Sequence, residues 1–182
     1  MDKKWICFFS QTGSEIVEVS KRLGRLPDFI ITNNNDKNKW CKEIKQDMWE
    51  ERLFLIPSKP HLEDYKKALR NFSQNNTIIT LHGFLRIIPE EICQNWEIYN
   101  GHPGRIWVDK TLKGYNAQEK AWKRGDKVGG SVIHKCTPEL DGGEILAKKE
   151  CSIENLTLDG TYKILHENSI ELWVDFLKKK LI

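Results

Sequence analysis

Short apolar runs separated by polar segments dominate the pattern of this chain. Seven runs are rich in β-branched and aromatic residues, which is typical of buried strands; they cover residues 5–9, 29–32, 53–56, 77–81, 96–99, 130–136 and 144–147. Helical spacing occurs between the early runs, for example at Ile16, Val19, Leu23 and Leu26. This alternation predicts an α/β fold with a mostly parallel sheet and helices on both faces.

The last third of the chain predicts a different arrangement. Only a few residues separate the last two strands, so we expect an antiparallel C-terminal addition to the sheet, with Asp141 in the connection. Farther on, residues recur in steps of four and three and define one face of a long helix that packs on the sheet. They are Leu158, Tyr162, Leu165, Ser169, Leu172 and Phe176.

Length and composition restrict the class of protein. No repeat or flexible linker divides the 182 residues, which predicts a single domain, 1–182. The net charge of +3 is small and its lysines are scattered, which argues against a nucleic-acid surface. Five cysteines without a CxxC pair indicate reduced thiols, and no stretch resembles a signal peptide or membrane span. We therefore expect a cytoplasmic monomer or homodimer that binds small molecules, without nucleic-acid or membrane partners.

Candidate chemistry lies in the segment Asn100-Gly101-His102-Pro103 and in Asp141. Alternate residues of a strand share a face, so Asn100 and His102 can converge at a strand end. An amide donor, an imidazole and a carboxylate suit acyl-type transfer to an amine. Three alternatives remain open here: a structural histidine, a turn aspartate, and, with little support from ligand spacing, a metal site formed with His134 and Cys136.

Two other segments follow predicted strands. Residues 10–15, Ser-Gln-Thr-Gly-Ser-Glu, precede a helix, so they form either an anion site or a plain helix start capped by Thr12 or Ser14. Residues 81–89 contain Gly83, which permits close approach to the backbone, and one arginine, Arg86. This segment is either part of a ligand pocket or core with a surface arginine. In an open α/β sheet, both segments and Asn100 would lie at the edge where ligands bind.

Together, these motifs resemble those of the folate-dependent formyltransferases, most closely the group that acts on glycinamide ribonucleotide. The family's Ser-Gly-x-Gly-Ser-Asn is similar to residues 10–15, and its Gly-Phe-Met-Arg-Ile-Leu to 83–88, here Gly-Phe-Leu-Arg-Ile-Ile. Its Asn-Ile-His-Pro is similar to 100–103, and its Glu-Leu-Asp-Gly-Gly-Pro-Ile-Leu to 139–146. Weaker matches fall at 130–134 and 166–168. The order of the motifs makes the resemblance specific, and it is strongest over residues 77–147.

The resemblance implies a Rossmann-like formyltransferase fold and an enzyme of one-carbon metabolism and purine biosynthesis. Its reaction would transfer the formyl group of 10-formyltetrahydrofolate to a primary amine of a small, phosphorylated substrate, without a metal. Asn100 would donate to the formyl oxygen, His102 would carry the proton from the amine to the departing N10, and Asp141 would hold and tune His102.

The resemblance also implies binding residues. The folate would contact Leu85, Arg86, Ile87, Ile88, Cys136, Thr137, Glu139 and Leu140. The amine substrate would contact Thr12, Gly13, Ser14, Glu15 and Glu167.

Departures from the family pattern concern the amine substrate. Gln11 replaces a glycine, and Glu15 replaces an asparagine that assists a substrate phosphate, which argues against the family's phosphate contact; Arg105 or Lys113 could supply a substitute anion contact. Alternatives are an N-formyltransferase for amino-sugar nucleotides, a 10-formyltetrahydrofolate hydrolase and a noncatalytic folate-binding module.

Overall fold

A seven-stranded sheet forms the centre of the molecule, and the computed structural model describes residues 3–181. The strands are β1 (Lys4–Phe9), β2 (Phe29–Thr32), β3 (Leu53–Leu55), β4 (Thr77–Leu81), β5 (Glu97–His102), β6 (Val128–Lys135) and β7 (Ile145–Ser152). The helices are α1 (Ser14–Leu23), α2 (Asp47–Glu50), α3 (Leu62–Leu69), α4 (Glu90–Asn95), α5 (Ala117–Lys123) and α6 (Leu158–Lys180).

Strand pairing confirms the predicted fold class. The order across the sheet is β3-β2-β1-β4-β5-β6-β7. The first five strands in this order are parallel, and both β5–β6 and β6–β7 are antiparallel. β5 continues three residues beyond its predicted end, and β7 continues five residues, because backbone pairing with β6 persists where the apolar pattern stops.

Alternating residues of β1 supply two cores on opposite faces of the sheet. Trp5, Cys7 and Phe9 pack with α1 and α6, whereas Ile6 and Phe8 pack with α3 and α4. This period of two is the strand geometry that lets one buried segment cover helices on both sides. The predicted placement of helices on both faces is therefore confirmed.

Helix α6 begins at Leu158 as predicted and packs against β6, β7 and α1. Thr157 starts it, since the Thr157 hydroxyl accepts a hydrogen bond from the Gly160 N–H. The predicted stripe is incomplete: Tyr162 remains 37% exposed, whereas Trp173, outside the stripe, is fully buried. Within residues 3–181, no helix is both long and apolar enough to cross a membrane.

Candidate active site

A cleft of about 880 Å³ lies beyond the carboxyl ends of the parallel strands. From β1 the chain adds β2 and β3 on one side of β1, and then crosses to add β4 on the other side. The strand order therefore reverses between β1 and β4. Ligands of open α/β sheets bind at this point. The loops after β1 and β4 line the cleft, as do Asn100, His102 and Asp141.

The structure brings Asn100, His102 and Asp141 together. Asn100 and His102 lie two residues apart on β5, and the β6–β7 connection places Asp141 against both. The Asn100 Nδ2 donates to Asp141 Oδ1 at 3.2 Å, and His102 Nδ1 lies 3.3 Å from Asp141 Oδ2. A carboxylate 41 positions from Asn100 in the chain thus contacts both strand residues.

A backbone bend holds the Asp141 side chain in this position. Asp141 has φ 45°, in the left-handed region that aspartate tolerates better than most residues. The Gly114 N–H donates to Asp141 Oδ2 at 2.8 Å. The carboxylate is 4% exposed, and each of its oxygens faces more than one polar partner.

His102 is buried on the floor of the cleft and anchored by its other ring nitrogen. Nε2 donates to the Leu112 carbonyl at 2.7 Å, which leaves Nδ1 as the basic nitrogen of the neutral ring. Burial lowers the pKa of His102 from its ordinary 6.5, although Asp141 and the Leu112 carbonyl act in the opposite direction. The neutral imidazole therefore persists at neutral pH.

His134 joins this group, a role that sequence reasoning did not give it. The antiparallel register pairs His134 on β6 with Asn100 on β5. Its Nε2 lies 3.1 Å from Asn100 Nδ2 and 3.3 Å from Asp141 Oδ1, and its Nδ1 donates to the Lys135 carbonyl. The sequence predicted an antiparallel strand at this position. It did not predict the register that places His134 opposite Asn100.

The Asp141 carboxylate stays ionised at neutral pH. Burial raises its pKa, but the contact with His134, the neighbouring His102 and the Gly114 N–H outweigh burial and lower the pKa to about 2. A fixed negative charge beside a neutral imidazole stabilises any proton that the imidazole accepts. The arrangement can therefore take up a proton at His102 Nδ1.

Between Asn100 and His102, the glycine at 101 admits a large side chain from α6. A Cβ at this position would lie 2.5 Å from Trp173 Nε1 and 2.9 Å from two other indole atoms. Trp173 is fully buried and also packs on His82, with ring centroids 4.6 Å apart. The indole thus occupies the volume that a side chain at position 101 would fill.

The prediction that Thr12 or Ser14 caps α1 is wrong, because a glycine occupies the cap position. The cap position is Gly13, with φ 75°, and no side chain caps it. The Thr12 hydroxyl accepts only from the Ser14 N–H, at 3.2 Å. Thr12, Gly13, Ser14 and Glu15 all line the cleft.

The Glu15 side chain forms a buried network behind this turn. Its Oε1 accepts from the Ser169 hydroxyl at 2.6 Å, and its Oε2 lies 2.8 Å from His82 Nδ1. His82 Nε2 in turn lies 2.9 Å from the Thr80 hydroxyl. The network joins α1, α6 and the end of β4, and sequence reasoning did not identify it.

The other binding residues are mostly on the cleft wall. All eight residues predicted to contact the folate line the cleft: Leu85, Arg86, Ile87, Ile88, Cys136, Thr137, Glu139 and Leu140. Glu167, predicted to contact the amine, lies outside the lining. Its carboxylate binds the Arg22 guanidinium through two hydrogen bonds on the surface.

The predicted substitute anion contacts also lie elsewhere. Arg105 binds Glu150 and Lys113 binds Glu139, and neither Arg105 nor Lys113 lines the cleft. The alternative metal site finds no support in the described part of the chain, where no three His, Cys, Asp or Glu residues are arranged to hold an ion.

Fold and site together define an α/β protein with an amide, an imidazole and a carboxylate in a cleft beyond the carboxyl ends of its parallel strands. A family model described as Formyl transferase matches residues 4–177. The chain therefore belongs to the formyl transferase family.

The curated relatives that match are formyltransferases named for different substrates. A methionyl-tRNA formyltransferase of Thermotoga maritima is 27% identical over 129 residues, which are 69% of this chain and 40% of the relative. A phosphoribosylglycinamide formyltransferase of Bacillus subtilis is 28% identical over 107 residues, 57% of this chain and 53% of the relative. The chain thus spans about half or less of the length of these relatives.

Solved structures show the same fold. The phosphoribosylglycinamide formyltransferase from Anaplasma phagocytophilum has a TM-score of 0.82 at 23% identity, covering 98% of this chain and 86% of that one. A formyltetrahydrofolate deformylase from Pseudomonas syringae has a TM-score of 0.81 at 16% identity, covering 100% of this chain and 62% of that one. At these identities the likeness concerns the fold alone.

Proposed function

We propose that this protein transfers the formyl group of 10-formyltetrahydrofolate to the primary amine of a small molecule. The observation that carries the proposal is the convergence of Asn100, His102 and Asp141 at the cleft, with 3.2 and 3.3 Å contacts through one carboxylate. These groups supply an oxyanion donor, a base and a fixed charge, which are the requirements of acyl-type transfer to an amine.

His102 is the proton acceptor in this proposal. Attack of the amine nitrogen on the formyl carbon forms a C–N bond and places positive charge on that nitrogen. His102 Nδ1 takes the proton, and the imidazolium is held between Asp141 and the Leu112 carbonyl. The same proton then passes to N10 of the folate as its bond to the formyl carbon breaks.

Asn100 stabilises the oxygen that becomes negative during attack. Its Nδ2 donates to Asp141 at 3.2 Å and lies 3.1 Å from His134, both near the long end of the range for such bonds. Catalytic hydrogen bonds are often long without substrate and tighten in the complex. Substrate binding replaces one of these two contacts with the formyl oxygen.

The two ends of the cleft suit different molecules. We assign the donor to the wall formed by residues 85–88 and 136–140, where Leu85 and Ile87 are exposed and give apolar area for a planar ring. The amine then enters beside the α1 turn. Glycinamide ribonucleotide is the reference amine to test, because one curated relative is a phosphoribosylglycinamide formyltransferase.

The test is a formyl-transfer assay with a panel of primary amines, in which tetrahydrofolate and the formylated amine are both measured. We expect amine-dependent turnover that falls about 10²-fold or more in Asn100→Ala and His102→Ala. His61→Ala, at an exposed histidine before α3, is the matched control and keeps its rate. Formate release without any amine would indicate a hydrolase, and tight folate binding without turnover would indicate a binding module.

A further inference from the structure

Buried negative charge distinguishes the end of the cleft beside α1. We call this region the α1 end, lined by residues 11–15, 162, 163, 166 and 169. Glu15 lies here with 17% of its side chain exposed, held by the Ser169 hydroxyl at 2.6 Å and by His82 Nδ1 at 2.8 Å. Burial raises the pKa of Glu15, but the contacts with His82 and Ser169 outweigh it and the pKa falls below 4.5. The carboxylate is therefore ionised at neutral pH.

The position of Glu15 opposes an anionic ligand. The first turn of a helix presents free N–H groups and a partial positive charge, which would otherwise favour a phosphate at Gly13 and Ser14. Glu15 belongs to that first turn. Its fixed carboxylate compensates the helix charge and adds repulsion toward a second anion at this end of the cleft.

No lysine or arginine contacts the Glu15 carboxylate in the described part of the chain; its basic partner is the buried His82, and the exposed His166 also lines this end. In the described part of the chain, two Lys or Arg residues line the cleft: Arg86, whose guanidinium donates to the Ser58 and Leu85 carbonyls, and Lys163, which pairs with Asp159. Arg86 lies at the donor wall. The nearby Arg22 is held by Glu167 on the surface.

Neutral polar and aromatic groups make up much of the remaining lining. Gln11 and Tyr162 lie at the α1 end, and Tyr115, Asn116 and Gln118 also line the cleft, with Tyr115 71% exposed. Amide side chains both donate and accept hydrogen bonds, and tyrosine rings offer apolar faces with a polar tip. This set matches hydroxyl groups on a small ring and carries no charge, and the one lysine at this end, Lys163, is paired with Asp159.

We propose that the α1 end binds an uncharged, hydroxyl-bearing part of the amine substrate and rejects a phosphate there, and that Glu15 determines this preference. The inference rests on the proposed function. It specifies the class of amine, namely a hydroxylated primary amine without phosphate at this end.

Two matched amines test the preference: glycinamide ribonucleotide and the same molecule without its phosphate. We expect kcat/KM to favour the dephosphorylated amine by about tenfold or more. Glu15→Gln should shift the ratio toward the phosphorylated amine by a similar factor. Glu18→Gln, the same change one turn along α1 at a residue paired with Lys21, should leave the ratio unchanged.

Binding of inorganic phosphate gives a readout that needs no turnover. Calorimetry with the wild-type protein should detect no saturable phosphate binding in the millimolar range, and Glu15→Gln should introduce it. Saturable phosphate binding to the wild type, lost when Ser14 is replaced by proline, would overturn the inference. Absence of formyl transfer to every amine would instead refute the proposed function and leave the phosphate result to decide the inference.

Discussion

Asp141→Asn probes the centre of the site with little change in shape. The amide is isosteric, and asparagine tolerates the left-handed φ of 45°, so the backbone gains no strain. The charge is lost beside His102, His134 and the Gly114 N–H. The pKa of Asp141, lowered from 3.8 to about 2, corresponds to about 2 kcal/mol of stability that its ionised form supplies.

The expected stability loss depends on pH in a defined direction. A carboxyl group with a lowered pKa stabilises the fold above its unfolded pKa, and this stabilisation disappears as pH falls through the folded pKa. Urea unfolding should therefore show Asp141→Asn to be about 2 kcal/mol less stable than wild type at pH 7. The gap should start to close below pH 4 and narrow toward pH 2.

The rate should respond more strongly than stability. We expect kcat to fall about 10²- to 10⁴-fold, because the imidazolium of His102 loses its charge partner. The pKa of His102 should fall further, since Asp141 is the main group that raises it. An unchanged kcat, or a stability gap that does not vary between pH 7 and pH 3, would refute the role of the Asp141 charge.

Three further predictions concern neighbouring residues. The acid limb of the wild-type pH–rate profile should lie below pH 6.5, because burial lowers the pKa of His102; a limb above pH 7 would contradict this. Gly101→Ala should destabilise the fold by about 1–3 kcal/mol in urea unfolding, because its Cβ meets the Trp173 indole; wild-type stability would show that the indole moves freely. Glu167→Ala should leave the KM of the amine unchanged and cost less than about 1 kcal/mol, because Glu167 forms an exposed ion pair with Arg22; a large rise in KM would place Glu167 in the substrate site.

Strand cores were predictable because their side chains are buried on both faces. All five residues of β4 are buried, and its predicted and observed bounds agree. Strand ends were less predictable: β5 continues through Asn100 to His102, where the side chains are polar but the backbone still pairs with β6. The apolar pattern reports burial, whereas strand ends depend on the neighbouring strand.

The residues of the site were likewise predictable only in part. Motif order predicted Asn100, His102 and Asp141, and the structure places them together. The contacts of Glu15 with His82 and Ser169 span 67 and 154 positions, and no local signal encodes such pairs. Glu167 has helical neighbours in the cleft but points to Arg22, because a half-turn on α6 separates a lining position from a surface one.

Through the indole of Trp173, helix α6 supports the backbone of the reaction centre. The indole packs on β5 at Gly101, between Asn100 and His102. On its two edges, β5 is hydrogen-bonded to β4 and β6. The spacing of two chemically active side chains therefore depends on a helix that contributes neither of them. A fragment ending before residue 158 would retain Asn100, His102 and Asp141 but lack the helix that packs on the backbone between the first two.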